Sequence, residues 1–212
     1  VRKIFVLMRG EEECPFIGCD VIRISSMDNS DTIRQIANAV EAPYALVCFQ
    51  PVKITFGYQA IKRMVSVAES VVPAAVYADR YQVRDGKKVP SPTMDFYYGS
   101  VRDDFDFGPV TLFSSSALKM YVEEYPDLAY QYSCWYDLQL FYLRRKRLAS
   151  IFHVREYLYA EEAVDLRKSG EKQFDYVDPR NRAVQMEREL VFTNHLKHIG
   201  AYIEPDSIVE VS

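Results

Sequence analysis

An α/β domain with a mixed, mainly parallel sheet flanked by helices is the fold class this 212-residue sequence predicts. Three observations carry that expectation. Short apolar runs alternate with stretches of helical period, prolines and glycines separate them, and a 49% hydrophobic content supplies a core.

The elements follow in order. Arg2 to Met8 reads as a buried strand closed by Gly10, and Asp20 to Ile24 as a second. Ser30 or Asp31 can cap a helix whose Ile33, Ile36, Ala37 and Val40 share one face. Pro43 ends it, and Tyr44 to Phe49 reads as a strand buried on both sides. Thr55 is the expected cap of the next helix, with Ile61, Met64, Val65 and Ala68 as its stripe; Pro73 breaks it before the strand Ala74 to Tyr77. This strand-helix-strand-helix-strand order is what predicts the parallel sheet.

The period then changes. Asp85-Gly86 marks a hairpin between Tyr81–Arg84 and Lys87–Val89. Residues 90–108 read as a long loop, the kind that often carries function. Val110 to Phe113 returns to strand, Ser114 caps a helix, and a further helix runs from about Cys134 to Arg147. Residues 148–154 and 156–159 are strand-like. Asp178, Pro179 and Gly200 punctuate a last helix with Val184, Leu190, Val191, Leu196 and Ile199 as its stripe. The expected organisation is one α/β domain over 1–166 with a C-terminal helical extension over 167–212. The start at Val1 and the strand-like Ser207 to Val211 suggest excision from a longer protein.

Composition excludes several function classes. A net charge of −4 offers no general attraction to nucleic acid or anionic membrane. No apolar run approaches the roughly 20 residues of a membrane-spanning helix. Cys14, Cys19, Cys48 and Cys134 have neither CxxC nor zinc-site spacing, so free thiols and a cytoplasmic location are expected. His153, His195 and His198 form no ligand set by spacing, and no metal ligand is assigned.

The segments Glu41 to Phe49, Ala75 to Asp79, Asp85-Gly86, Gly108 to Leu118, Trp135 to Leu140 and Ser150 to Tyr159 fall in an order and spacing that resemble family 2 glycosyltransferases. The resemblance implies a GT-A-like fold and transfer of a sugar from a nucleotide-sugar donor to a glycan or other hydroxyl acceptor, as in polysaccharide assembly. It also implies a catalytic base in a Glu-Asp pair, here Tyr136-Asp137, so that Asp137 matches the base. The other reading of Asp137 is a carboxylate favoured near a helix N-terminus. The family's Asp-x-Asp, which binds manganese or magnesium, is absent: Cys48-Phe49-Gln50 stands in its place, a poor donor set for a hard cation. The N-terminal half is also shorter than the family's. A divalent cofactor therefore stays open, as does the alternative of a noncatalytic glycan-binding or accessory module beside a second transferase domain.

The remaining candidates come from placement. Asp79 ends an expected parallel strand, where ligands gather in α/β sheets, or initiates a turn. Arg102, Asp103, Asp104 and Asp106 lie in the long loop and could touch a sugar, or be solvated. Trp135, Tyr97 and Tyr98 are placed for stacking on a sugar face. Arg144 to Arg147 reads as a basic helix end rather than a nucleic-acid contact.

Overall fold

In a computed structural model, which describes residues 1–145, 151–162, 179–204 and 207, eight strands and five helices are laid out along the chain. The first two strands, β1 (Phe5–Met8) and β2 (Asp20–Arg23), form a separate parallel pair. Helix α1 (Ser30–Ala39) follows, then β3 (Tyr44–Cys48), β4 (Lys53–Phe56), α2 (Ala60–Val71), β5 (Ala75–Arg84) and β6 (Lys87–Ser91). After the long loop come β7 (Val110–Ser114), α3 (Ser115–Glu124), α4 (Cys134–Arg144), β8 (Ile151–Glu162) and α5 (Pro179–Ile199).

The main sheet has the order β3-β7-β5-β8-β4, with β6 paired to β5. Only β5 and β8 pair in parallel; the other four pairings are antiparallel. The expected mainly parallel GT-A sheet is thus overturned: the sheet is mixed, mostly antiparallel and curls into a half-barrel. The cause is local. β7 inserts between β3 and β5, which share a direction but never touch as neighbours. A strand where sequence predicted a helix cap adds a further reversal, since Thr55 pairs with Ala160 inside β4. The helix begins later, at Ala60, after a left-handed Gln59 (φ 53°) that makes no side-chain cap.

Other boundaries moved less. Asn29, not Ser30 or Asp31, caps α1 by accepting a hydrogen bond from the Asp31 amide (2.8 Å). The hairpin forms as the Asp-Gly dipeptide dictates, with Asp85 at φ 50° and Gly86 at φ 72°, the positive pair that a tight turn of matching twist needs. The two expected strands after α4 are one, β8, with register irregularities opposite Asp79. Residues 146–150, 163–178, 205–206 and 208–212, with Asp178 and part of the expected extension, lie outside the described residues.

The sheet is covered on both faces. Alternation along β7 sends Val110 and Leu112 toward α2, where Met64 and Ala68 pack. Phe113 faces the other way, joining Ile33, Ile36, Leu118, Leu138 and Phe141 from α1, α3 and α4. α5 lays Val191 against Leu140 and Leu143 of α4, while its Leu190 and Ile199 stay exposed rather than joining the expected stripe. Among the described residues, no helix is long and apolar enough to cross a membrane.

Candidate functional site

A cavity of about 410 Å³ opens between the α4 face of the sheet and the long loop. Its floor is the sheet itself: Thr111 and Phe113 of β7, Ala75 of β5 and Ile151 of β8. The register explains the grouping, because Ala75 is paired with both Phe113 and Ile151. One wall is α4, which turns Trp135, Gln139 and Tyr142 inward on successive turns. The opposite wall is the loop from Asp103 to Gly108, and Phe49, Gln50 and Asp28 complete the rim.

The loop is long yet firmly held. Tyr136 Oη donates to the Val101 carbonyl (2.7 Å), and Gln139 Nε2 donates to the carbonyls of Ser100 and Arg102 (3.1 Å each). Phe105 and Phe107 pack edge-on against Tyr77, whose hydroxyl donates to the Met94 carbonyl (2.6 Å). Burial pushes the Tyr136 phenol up to about 12, so it remains a donor. Gly108 closes the loop at φ 76°, a conformation that strains any residue with a side chain, and a Cβ there would run into the Tyr159 hydroxyl.

Trp135 is fixed with its indole Nε1 donating to the Met27 carbonyl (2.9 Å). Phe49 meets it edge-on at 4.8 Å and Phe113 packs beside it at 5.7 Å. The cavity therefore has an aromatic side. It also has a polar side, with Asp28, Asp103, Asp104, Asp106 and Gln50 around it. Three of these carboxylates already hold an arginine. Asp104 takes a two-point contact from Arg102 (2.8 Å twice), Asp103 pairs with Arg188 of α5 (2.8 Å), and Asp106 pairs with the buried Arg80 (2.9 Å). The Arg102 pairing holds the Asp104 carboxyl below the usual range, whereas desolvation raises that of Asp28.

Two buried hydroxyls in the cavity lining have no partner among the described residues: Thr111 Oγ1 and Tyr142 Oη. Thr111 is 3% exposed and Tyr142 2%. Unpaired buried hydroxyls are costly, and both of these belong to residues that border the cavity.

The sequence candidates separate cleanly. Trp135, Asp103 and Asp104 border this cavity. Arg102 borders a smaller one of about 180 Å³ across the loop, shared with Asp104 and Asp106. Tyr97 is exposed and hydrogen-bonded to Asp95 (2.7 Å), and neither it nor Tyr98 belongs to the cavity lining.

Asp79 and Asp137 lie elsewhere. Asp79 does not end its strand, because β5 continues to Arg84; it sits at the register irregularity, 6% exposed. Its Oδ1 accepts from the Thr93 amide (2.8 Å) and lies 2.9 Å from His153 Nε2. Asp137 is 4% exposed and absent from the cavity lining. It accepts a hydrogen bond from Tyr121 Oη (2.8 Å) and lies 3.8 Å from Arg144 Nη2, so it ties α3 to both ends of α4. Burial raises its carboxyl above the ordinary range, which Tyr121 and Arg144 only partly offset. Of the basic run, Arg144 and Arg145 pair with Asp137 and Glu124.

Sequence reasoning did not single out Thr111 or Tyr142 as site residues. The available signal was a lone hydroxyl residue in the otherwise apolar Val110-Thr111-Leu112-Phe113. Tyr142 gave none, since a tyrosine in a helical stripe is ordinarily core.

The donor set does not fit the divalent cation that the family resemblance implies. Three of the four aspartates by the cavity are each engaged by a different arginine, Gln50 stands at the rim, and among the described residues no three of His, Cys, Asp and Glu group as ligands. No protein-family model matches the chain, and no match is found among curated proteins.

Proposed function

We propose that the chain is a sugar-binding domain, one that holds a glycan in the Trp135 cavity and serves polysaccharide assembly in the cytoplasm without carrying out transfer itself. The observation that carries this reading is the pair of unpartnered hydroxyls, Thr111 Oγ1 and Tyr142 Oη, beside an indole in one cavity. A sugar ring offers what both sides of such a site lack: an apolar C–H face for the aromatic wall, and hydroxyls that donate and accept. The noncatalytic part rests on Asp137. A general base must come within hydrogen-bond reach of the proton it removes, and this carboxylate is turned to Tyr121 and Arg144 instead.

The test uses the chain's one tryptophan. Neutral oligosaccharides titrated against the indole fluorescence should give a saturable change, and Trp135→Phe with ligand-observed NMR should show weaker binding. A flat titration with every sugar tried sinks the reading.

A second reading, transfer from a nucleotide-sugar donor to a hydroxyl acceptor, is favoured by one observation: Asp103, Asp104 and Asp106 border the same cavity and could take an acceptor proton. Release of nucleoside diphosphate from a nucleotide sugar, lost in Asp104→Asn and kept in Asp137→Asn, would establish it.

A further inference from the structure

We infer that the cavity selects by charge, admitting an uncharged pyranose residue and excluding its phosphorylated or nucleoside-diphosphate forms. The inference rests on the sugar-binding reading and names the class of ligand within it.

The first ground is the wall chemistry. Among the described residues the cavity lining contains four aspartates and no lysine, arginine or histidine. A phosphate entering it would face Asp28, Asp103, Asp104 and Asp106 with no cation of the lining to meet it. The second ground is that each nearby arginine is paired with a carboxylate, although Arg80 Nη1 and Arg188 Nε are buried without a hydrogen-bond partner among the described residues. Arg102 is held at two points by Asp104, Arg188 by Asp103, and Arg80 lies between Asp106 (2.9 Å) and Glu161 (3.0 Å). Releasing any of them would uncover a carboxylate on the same loop.

A helix N-terminus can substitute for a cation, and α4 begins at this cavity. Its first amide is already engaged, since the Cys134 N–H donates to the Asp28 carbonyl (3.2 Å), and the Asp137 carboxylate in that turn opposes an entering anion.

The third ground is independent of charge. Thr111 Oγ1 and Tyr142 Oη are hydroxyls, each able to give and to take a hydrogen bond, and each more than nine-tenths buried. A sugar hydroxyl answers both capacities. A phosphate dianion only accepts, and would leave their acceptor sites unmatched.

The experiment compares matched probes by Trp135 fluorescence: glucose with glucose 6-phosphate, N-acetylglucosamine with its 1-phosphate, and the corresponding UDP-sugars with and without manganese. The phosphorylated member of each pair should bind at least about tenfold more weakly, with the gap narrowing at high salt. In Asp104→Asn, which frees the Arg102 guanidinium, the same gap should shrink. A phosphorylated or UDP-linked form binding as tightly as its neutral parent overturns the inference and leaves sugar binding standing. No response to any probe, neutral or charged, removes both. An unchanged gap in Asp104→Asn, with neutral sugars bound, overturns the charge explanation.

Discussion

Two polar regions sit on the sheet, and they are built on opposite principles. In the first, β5 and β8 bring Asp79 and His153 together with Thr93 and Asp95 of the loop. His153 Nε2 lies 2.9 Å from Asp79 and its Nδ1 lies 2.7 Å from Asp95, while the ring stacks on Tyr77 at 4.7 Å. Asp95 is held further by Arg155 and Tyr97. Each of these side chains has a partner within the cluster. In the second region, Thr111 and Tyr142 carry deeply buried hydroxyls with no partner among the described residues and an adjoining cavity. The difference teaches which buried polarity is architectural. A satisfied cluster fastens the loop to the sheet; on the sugar-binding reading proposed above, the unsatisfied pair beside open volume keeps its bonds for a ligand.

Mutations can break this contrast, and the largest effect belongs to the satisfied cluster. His153→Ala removes the hydrogen bonds to Asp79 and Asp95 and opens a void beneath Tyr77, and should cost about 2 to 3 kcal/mol in denaturant unfolding. A loss below about 1 kcal/mol would mean that the cluster does not fasten the loop.

Next comes Asp137, on the paired side of the comparison although sequence suggested chemistry. Asp137→Ala strands the Tyr121 hydroxyl and should cost about 2 kcal/mol; Asp137→Asn keeps an acceptor and should cost less. The raised carboxyl also has a signed consequence. Its contribution is fully present below the ordinary carboxylate value and declines as pH rises through the raised one, because the folded state holds the proton longer. The stability-pH curves of wild type and Asp137→Asn should therefore diverge across that window.

Asp95 carries the opposite sign. Hydrogen bonds from Arg155, then His153 and Tyr97, hold its carboxyl far below the usual range. Its contribution is present above the ordinary carboxylate value and is lost as pH falls toward the depressed one. Asp95→Asn should destabilise at neutral pH, with the difference shrinking in strong acid. A difference that is flat with pH would detach Asp95 from its partners.

The smallest stability effects are expected at the cavity. Thr111→Val and Tyr142→Phe each remove a hydroxyl that has no protein partner, so each should change stability by no more than about 1 kcal/mol, in the stabilising direction.

How much of this was legible in sequence follows from what each element depends on. Local signals survived: the Asp85-Gly86 hairpin, the α1 stripe and the helix ended by Gly200 at φ 70° all formed where chain chemistry put them. Strand direction did not, because it is decided by which strand inserts where. Nothing local to Val110–Ser114 says that it will lie between β3 and β5. The short Lys53–Phe56 is a strand only because the end of β8 is there to pair with it.

The site divides in the same way. Trp135, Asp103 and Asp104 were reachable from residue type and position and do border the cavity. Asp137 was reachable as a residue, yet its direction depends on Tyr121 from another helix. Thr111 and Tyr142 became visible only when their lack of partners could be seen.

The most direct test of the account is the double variant Thr111→Val with Tyr142→Phe, measured twice on one preparation. Denaturant unfolding should show a protein as stable as wild type or more so. Titration with a neutral sugar that saturates the wild-type Trp135 signal should show affinity reduced at least about tenfold. Unchanged affinity, or a binding loss that merely follows a loss of stability, would contradict the claim that these two hydroxyls are held for a ligand.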